Sequence, residues 1–304
     1  MKSIKTAVIR GIWKYRWQYL MILPGFIVIF LFSYLPMAGV QIAFRDYNIF
    51  KGIWESPWVG LEHFTFVSDP DFWTVFENTI WITVLKFGFG FPAPIVLAIL
   101  LNELRNPLFK RFVQSLTYMP HFVSWIIVAY IVEVLLSHST GLVNHLLSLA
   151  GFEKIYFMGE MSWFRPIVVI TSIWKEAGWG SIIYLAAIAG IDPQLYDAAK
   201  VDGAGKWRQM WNVTLPGMMP TISIMLILSI PNLLNAGFDQ IYPLQNPVNL
   251  PISEVIDTYV VRTGINLGYF GPAAAIGLAM AVVQFALVIA TNQLSKKFGG
   301  SRLF

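Results

Sequence analysis

Glu133, Lys175 and Glu176 fall inside long apolar stretches of the sequence. An ion at the centre of a bilayer costs roughly a few kcal/mol or more, so a charge kept there pairs with a partner or lines a path. Lys175 and Glu176 are adjacent and should point to different sides of a helix. A Glu133–Lys175 pair across two helices is one solution; it would serve transport or only lock a bundle. The same stretches offer flat aromatic faces and amides: Trp125, Tyr130, Trp174, Tyr184, Asn232, Asn235 and Gln284. Such faces, with amide or carboxylate hydrogen bonds, are what hold a sugar. Taken alone, each is more readily explained by packing or by anchoring at an interface. Glu133, Trp174, Lys175, Glu176, Asn232, Asn235 and Gln284 are therefore the candidate substrate path. Lys86 should snorkel or pair.

Other chemistries fail on residue type or spacing. Gly203-Ala204-Gly205-Lys206 hints at a phosphate loop, but Lys200 and Trp207 stand where glycine and serine or threonine are required. His63, His121, His138 and His145 lack a metal-binding spacing. With no cysteine, thiolate metal sites, disulfides and cysteine nucleophiles are excluded. The formal charge of +4 is read as cytoplasmic loop charge, not as a nucleic-acid surface.

The elements that must position these residues are membrane helices. The chain of 304 residues is 56% hydrophobic and only 12% charged, too few charges to cover a soluble surface, where about 25% is usual. Aromatics reach 15%, as expected for rings crowding two interfaces. Six apolar runs approach the length of a spanning helix: Tyr19–Val40, Phe72–Leu101, Gln114–Leu136, Pro166–Ile191, Gly217–Asn235 and Phe270–Gln293. They are apolar on all faces, without strand alternation. Pro92 and Pro94 should kink the second. The first follows Lys2, Lys5, Arg10, Lys14 and Arg16, but it is too long for a signal peptide and is read as retained.

Basic residues set the orientation. With the amino terminus inside, inner segments also hold Arg105, Lys110, Arg111, Lys200, Lys206, Arg208, Lys296, Lys297 and Arg302. Outer ones hold only Arg45, Lys51, Lys154, Arg165 and Arg262. The bias supports six transmembrane helices with both termini cytoplasmic. The expectation is one membrane domain over 1–304, with cytoplasmic segments 1–18, 191–217 and 294–304. Gly141–Ala150 could form a short helix outside.

The segment from Ile191 to Pro216 stands apart. Asp192 can cap a helix with Pro193 at its first position. Leu195, Ala198, Ala199 and Asp202 then share one side. Gly203 and Gly205 stop that helix and allow a sharp turn. A second short helix, Lys206–Asn212, presents Trp207, Met210 and Trp211, and Pro216 ends it. Such a helix–turn–helix on the cytoplasmic side can dock in a groove of a soluble partner or merely anchor in headgroups.

This segment resembles the signature of binding-protein-dependent ABC importer permeases, E-A-A-x-x-x-G-x9-I-x-L-P. Asp197-Ala198-Ala199, Gly203, Val213 and Leu215-Pro216 match at every spacing, with Asp for Glu and Val for Ile as departures. Further similarity covers nearly the whole chain. Tyr34-Leu35-Pro36 and Gly60-Leu61-Glu62-His63-Phe64 resemble the sugar branch, with His63 departing. Asn78-Thr79 and Arg111 through Tyr118-Met119-Pro120 match the starts of the second and third helices. Phe238-Asp239-Gln240, Asn246-Pro247 and Ile256-Asp257-Thr258-Tyr259 resemble a polysaccharide-type subgroup of Gram-positive bacteria.

The resemblance implies an all-α membrane protein of the type I ABC importer permease fold in the bacterial plasma membrane. It implies that Tyr196, Asp197, Ala198, Ala199, Asp202, Gly203, Ala204, Trp207, Leu215 and Pro216 form the coupling surface. It implies two ATPase subunits, a second homologous permease and an extracellular solute-binding lipoprotein as partners. The chain itself would then need no cofactor, ATP and magnesium being bound by the ATPases, and would catalyse no bond change. The implied cargo is an oligosaccharide or polysaccharide fragment. A peptide, amino acid or ion on the same fold is an alternative, as is an ion-coupled secondary carrier.

Overall fold

The computed structural model describes residues 13–297. Lys2, Lys5, Arg10 and Arg302 of the orientation argument lie outside the described residues. The described chain is helical, with one isolated antiparallel bridge between Arg45 and Trp58. It forms two units: a smaller one running through Phe66 and including Thr263–Leu278, and a larger one of Val67–Arg262 with the chain from Ala279 on.

In the smaller unit, helix α1 (Arg16–Ile29) runs through a π turn at Phe30–Tyr34 and a 3-10 segment at Leu35–Phe44. Together Arg16–Phe44 is long and apolar enough to cross a membrane, and its most apolar stretch buries no residue in the chain. That suits a helix solvated by lipid. Beyond it, Arg45 donates to the carbonyls of Trp54 and Ser56, His63 bonds the Arg45 carbonyl at 3.0 Å, and Phe44 stacks on Trp58 at 5.5 Å.

The larger unit opens with α2 (Pro70–Gly90), capped by Asp69, whose carboxylate accepts from the Asp71 amide at 2.9 Å. The backbone stays helical through Phe91 into α3 (Pro92–Glu103). Pro70–Glu103 is therefore one 34-residue span, with Pro92 and Pro94 in the first turn of α3.

The third apolar run does not form the single helix expected over Gln114–Leu136. Amphipathic α4 (Pro107–Tyr118) passes through a 3-10 turn at Met119–Phe122, and α5 (Trp125–Leu136) then departs at 106°. Pro120 removes a backbone donor at the break. Ser124, in extended conformation, caps the new helix by accepting from the Ile127 amide. At 12 residues, α5 is about 18 Å long, short of a full bilayer core. The short helix foreseen at Gly141–Ala150 is present as α6 (Leu142–Leu149).

Helix α7 (Met161–Ala189) is the axis of the larger unit. Its buried residues Phe164, Val168, Thr171, Lys175, Gly178, Ser181, Tyr184 and Ile188 recur every three or four positions, one continuous inward stripe. Gly178 is required by packing, since a Cβ there would collide with the backbone of Thr117 at the end of α4. One apolar cluster joins Ile82, Val128, Val132, Phe164, Val168 and Ile241; another joins Ala98, Tyr184, Ile188 and Met218.

After α7 come α8 (Pro193–Val201) and α9 (Lys206–Gln209). Here the second arm does not stop at Pro216. A π turn at Met210–Thr214 carries it into α10 (Leu215–Ser229), so that Lys206–Leu234 is one 29-residue span. The wider turn relieves the clash between a proline ring and the carbonyl four residues back. A cap of three short helices follows: α11 (Phe238–Ile241), α12 (Leu250–Ser253) and α13 (Ile256–Val261). The last helix, α14 (Phe270–Lys297), contains the apolar span Phe270–Gln293.

Among the described residues, four helices are thus long and apolar enough to cross a membrane, or five if the α4–α5 pair is one span. Helix α7 has the length, 29 residues, but carries Arg165, Lys175 and Glu176.

Candidate coupling surface and transport cavity

The elbow between α7 and α10 is built almost wholly from local bonds. Asp192 caps α8, its carboxylate accepting from the Gln194 amide at 2.9 Å, and Pro193 takes the first turn. Helix α8 ends in a paired turn. The Ala204 amide donates to the Ala199 carbonyl at 2.8 Å and the Gly203 amide to Lys200 at 3.0 Å. This closure needs a left-handed residue, and Gly203 sits at φ +74°. Gly205 has an ordinary φ of −67°, so of the two glycines only Gly203 is there for backbone reach. Gln209 folds back to the Ala204 carbonyl at 2.7 Å. The Tyr196 hydroxyl meets that of Thr214 at 3.0 Å, tying α8 to the root of α10. Lys206 bridges to Glu103 at the end of α3 at 2.9 Å.

The outer faces of this elbow are unoccupied within the chain. Trp207 is 75% and Val201 88% exposed. Asp197, Ala198, Asp202 and Pro216 are exposed as well, while Tyr196, Ala199, Ala204 and Leu215 are half-buried. The signature residues therefore divide between a rigid inner side and an open outer one.

A cavity of about 540 Å³ opens between α2, α3, α7 and α10. Lys86, Glu176, Trp179, Tyr184, Asn232 and Asn235 line it, which is within the size of small-ligand sites. Its charges are held differently. Glu176 accepts from His121 Nδ1 at 2.9 Å and faces Lys175 Nζ at 3.5 Å. Since a carboxylate only accepts, Nδ1 of His121 carries the proton. The His121 ring lies flat on Trp179, with centroids 4.7 Å apart. Lys86 Nζ donates to the Ala236 carbonyl at 2.8 Å.

Of the candidate path residues, the structure gathers Glu176, Asn232 and Asn235 at this cavity and disperses the rest. Lys175 is buried against the bend of α4 and α5. Its Nζ donates to the His121 carbonyl at 2.6 Å and stands over the Trp125 ring at 5.2 Å. It answers a carbonyl freed where the helix breaks. The Glu133–Lys175 pair is not formed, and the adjacent Lys175 and Glu176 instead approach each other to 3.5 Å. Glu133 lines a second cavity, of about 480 Å³, with His138, Tyr156, Gln245 and Asn246. Trp174 is exposed, and half-buried Gln284 lines neither cavity. Trp179 was missed; its position three residues beyond Glu176 placed it on the same helix face.

Residues 90–300 match the family described as binding-protein-dependent transport system inner membrane component. The polygalacturonan/rhamnogalacturonan transport system permease protein YteP of Bacillus subtilis (strain 168) is 48% identical, over 95% of this chain and 90% of its own. Protein LplB of the same organism is 44% identical, over 95% and 91%. Among solved structures, a chain of a bacterial ABC transporter involved in the import of the acidic polysaccharide alginate superposes with a TM-score of 0.88. It is 39% identical, with 96% of this chain and 99% of that one covered. A chain with this elbow and these apolar spans, matched so fully, belongs to the family of binding-protein-dependent transport system inner membrane components, the multi-pass permease subunits of ABC importers.

Proposed function

We propose that this chain carries an oligosaccharide across the bacterial plasma membrane as one of two permeases driven by a pair of ATPase subunits. An extracellular solute-binding lipoprotein delivers the cargo. The observation that carries the reading is the elbow at Pro193–Thr214, stiffened inside by its own hydrogen bonds and open outside at Trp207 and Val201. Being covalently continuous with α7 and α10, it can transmit the closure of an ATPase dimer into the helices. ATP binding on the partners closes them, the elbow follows, and the permease pair opens outward to receive the sugar; hydrolysis resets it inward.

The chain catalyses no bond change itself. We read six crossings with both termini cytoplasmic: the four straight apolar spans, α7, and α5 with its arm α4. Lipid solvates the exposed apolar faces. Sugar as cargo is supported by the polygalacturonan and alginate transporters to which the chain is similar.

The test is reconstitution of the complex in proteoliposomes with its binding protein. ATP-dependent uptake of oligosaccharides, absent without the ATPase, is expected. Uptake of peptides or amino acids in place of sugars would refute the cargo, and uptake driven by an ion gradient without the ATPase would refute the mechanism.

A further inference from the structure

We propose that the cavity between α2, α7 and α10 is a binding subsite for an acidic sugar residue, a uronate, whose carboxylate is received by Lys86. This rests on the reading of the chain as a sugar permease and adds the chemical class of cargo and the residue that selects it.

Two ionised groups line the cavity, and they are not equivalent. Both oxygens of Glu176 are engaged, one by His121 and the other by Lys175, so its negative charge is answered from behind. Lys86 has no carboxylate within ion-pair distance among the described residues; its bond is to the neutral Ala236 carbonyl. An ammonium carries three donors, so two remain. A lysine held within an apolar span with Glu176 nearby but no carboxylate in direct contact is a candidate for meeting one supplied by cargo. The remaining lining fits a pyranose. Trp179 and Tyr184 offer flat faces, and the exposed amide of Asn232 makes no hydrogen bond among the described residues. A carboxylate on an ammonium is charge-assisted and stronger than any hydroxyl contact the same cavity could make.

The experiment uses the assembled transporter in nanodiscs. A galacturonate trisaccharide is compared with its carboxyl-reduced, neutral counterpart, following binding by tryptophan fluorescence and uptake in proteoliposomes. The wild type should bind the acid at least about tenfold more tightly. Lys86→Gln keeps a donor for Ala236 but removes the charge, and it should bring the two ligands within about twofold, while Lys86→Arg restores the preference. Because one binding protein serves all variants, the change between them reports the permease. Glu176→Gln is a second probe and should strengthen binding of the acid. Equal binding of the two trisaccharides by the wild type, a preference that survives Lys86→Gln, or a Glu176→Gln variant that binds the acid no better would each overturn the proposal while leaving sugar transport standing. If neither trisaccharide binds or is carried but another oligosaccharide is, the proposal fails alone; if peptides or amino acids are carried instead, the sugar reading fails as well.

Discussion

Around Gly203 the polar contacts are short in sequence: Ala204 to Ala199, Gln209 to Ala204, Asp192 to Gln194. Around Asn78 they are long. Its amide donates to the carbonyls of Pro251 and Glu254, at 2.9 and 3.2 Å, and its oxygen accepts from Arg165 at 3.0 Å. Thr79 accepts from the Ile256 amide, and Arg262 grips Glu254 with two nitrogens. That hydrogen bond to Glu254 holds the Arg262 guanidinium above its usual range. The elbow is thus a stiff local device on an open surface, and the cap is a buried polar weld among distant segments. The difference teaches that damage to the cap should be felt as lost stability, and damage to the elbow as lost coupling.

Arg262→Leu should break the cap hardest. It leaves Glu254, only 8% exposed, without its partner, at a cost of about 3 kcal/mol or more. A thermal-unfolding midpoint in detergent should fall steeply. Asn78→Leu comes next. Two carbonyls and Arg165 lose a partner, and about 2 kcal/mol of stability should go, read in the same assay. A full-strength cap in either variant would show that the weld is decorative.

At the elbow the signs reverse. Gly203→Val puts a branched side chain into the left-handed region, about 1–2 kcal/mol of local strain. The added Cβ meets nothing within 4 Å, so no clash confuses the result. Uptake should fall at least about tenfold, a population shift of that size, with the unfolding midpoint lowered less than in either cap variant. Gly203→Asn, which tolerates left-handed backbone, should keep most uptake. Lys206→Ala should do least of the elbow set, since its bridge to Glu103 is exposed on both sides and worth about 0–1 kcal/mol.

The smallest effect sharpens the cap again. Burial pushes the Asp257 carboxyl above its usual range. The folded chain therefore holds this proton to higher pH than the unfolded chain. Stability should decline as pH rises from about 4, the ordinary carboxylate value, through the raised one. Asp257→Asn should remove that decline from a pH series of unfolding midpoints.

This contrast also explains what could be read in advance. Apolar runs and the residues Asp192, Pro193 and Gly203 act locally, so the spans and the elbow's first arm were legible. The bend at Val123–Ser124 was not, because Val123, Trp125 and Ile126 keep the stretch apolar and only Pro120 and Ser124 mark it. Pro216 misled in the other direction: it normally ends a helix, and only the π turn before it lets α10 run on. The cavity draws on α2, α7 and α10 at once, so Glu176, Asn232 and Asn235 could be nominated by type and Trp179 by its spacing from Glu176, but Lys86 needed the packing. Glu133 lines a separate cavity and Gln284 neither of the two, placements that residue type alone could not foretell.

The chain has no cysteine of its own, so a single Trp207→Cys reports that position alone. In membranes holding the complete transporter, a membrane-impermeant maleimide should reach it only from the cytoplasmic side, and oxidation should join it to a cysteine placed in the facing cleft of the ATPase. Labelling from the outside, or no cross-link to the ATPase at any point of its cycle, would contradict the assignment of this elbow as the coupling surface.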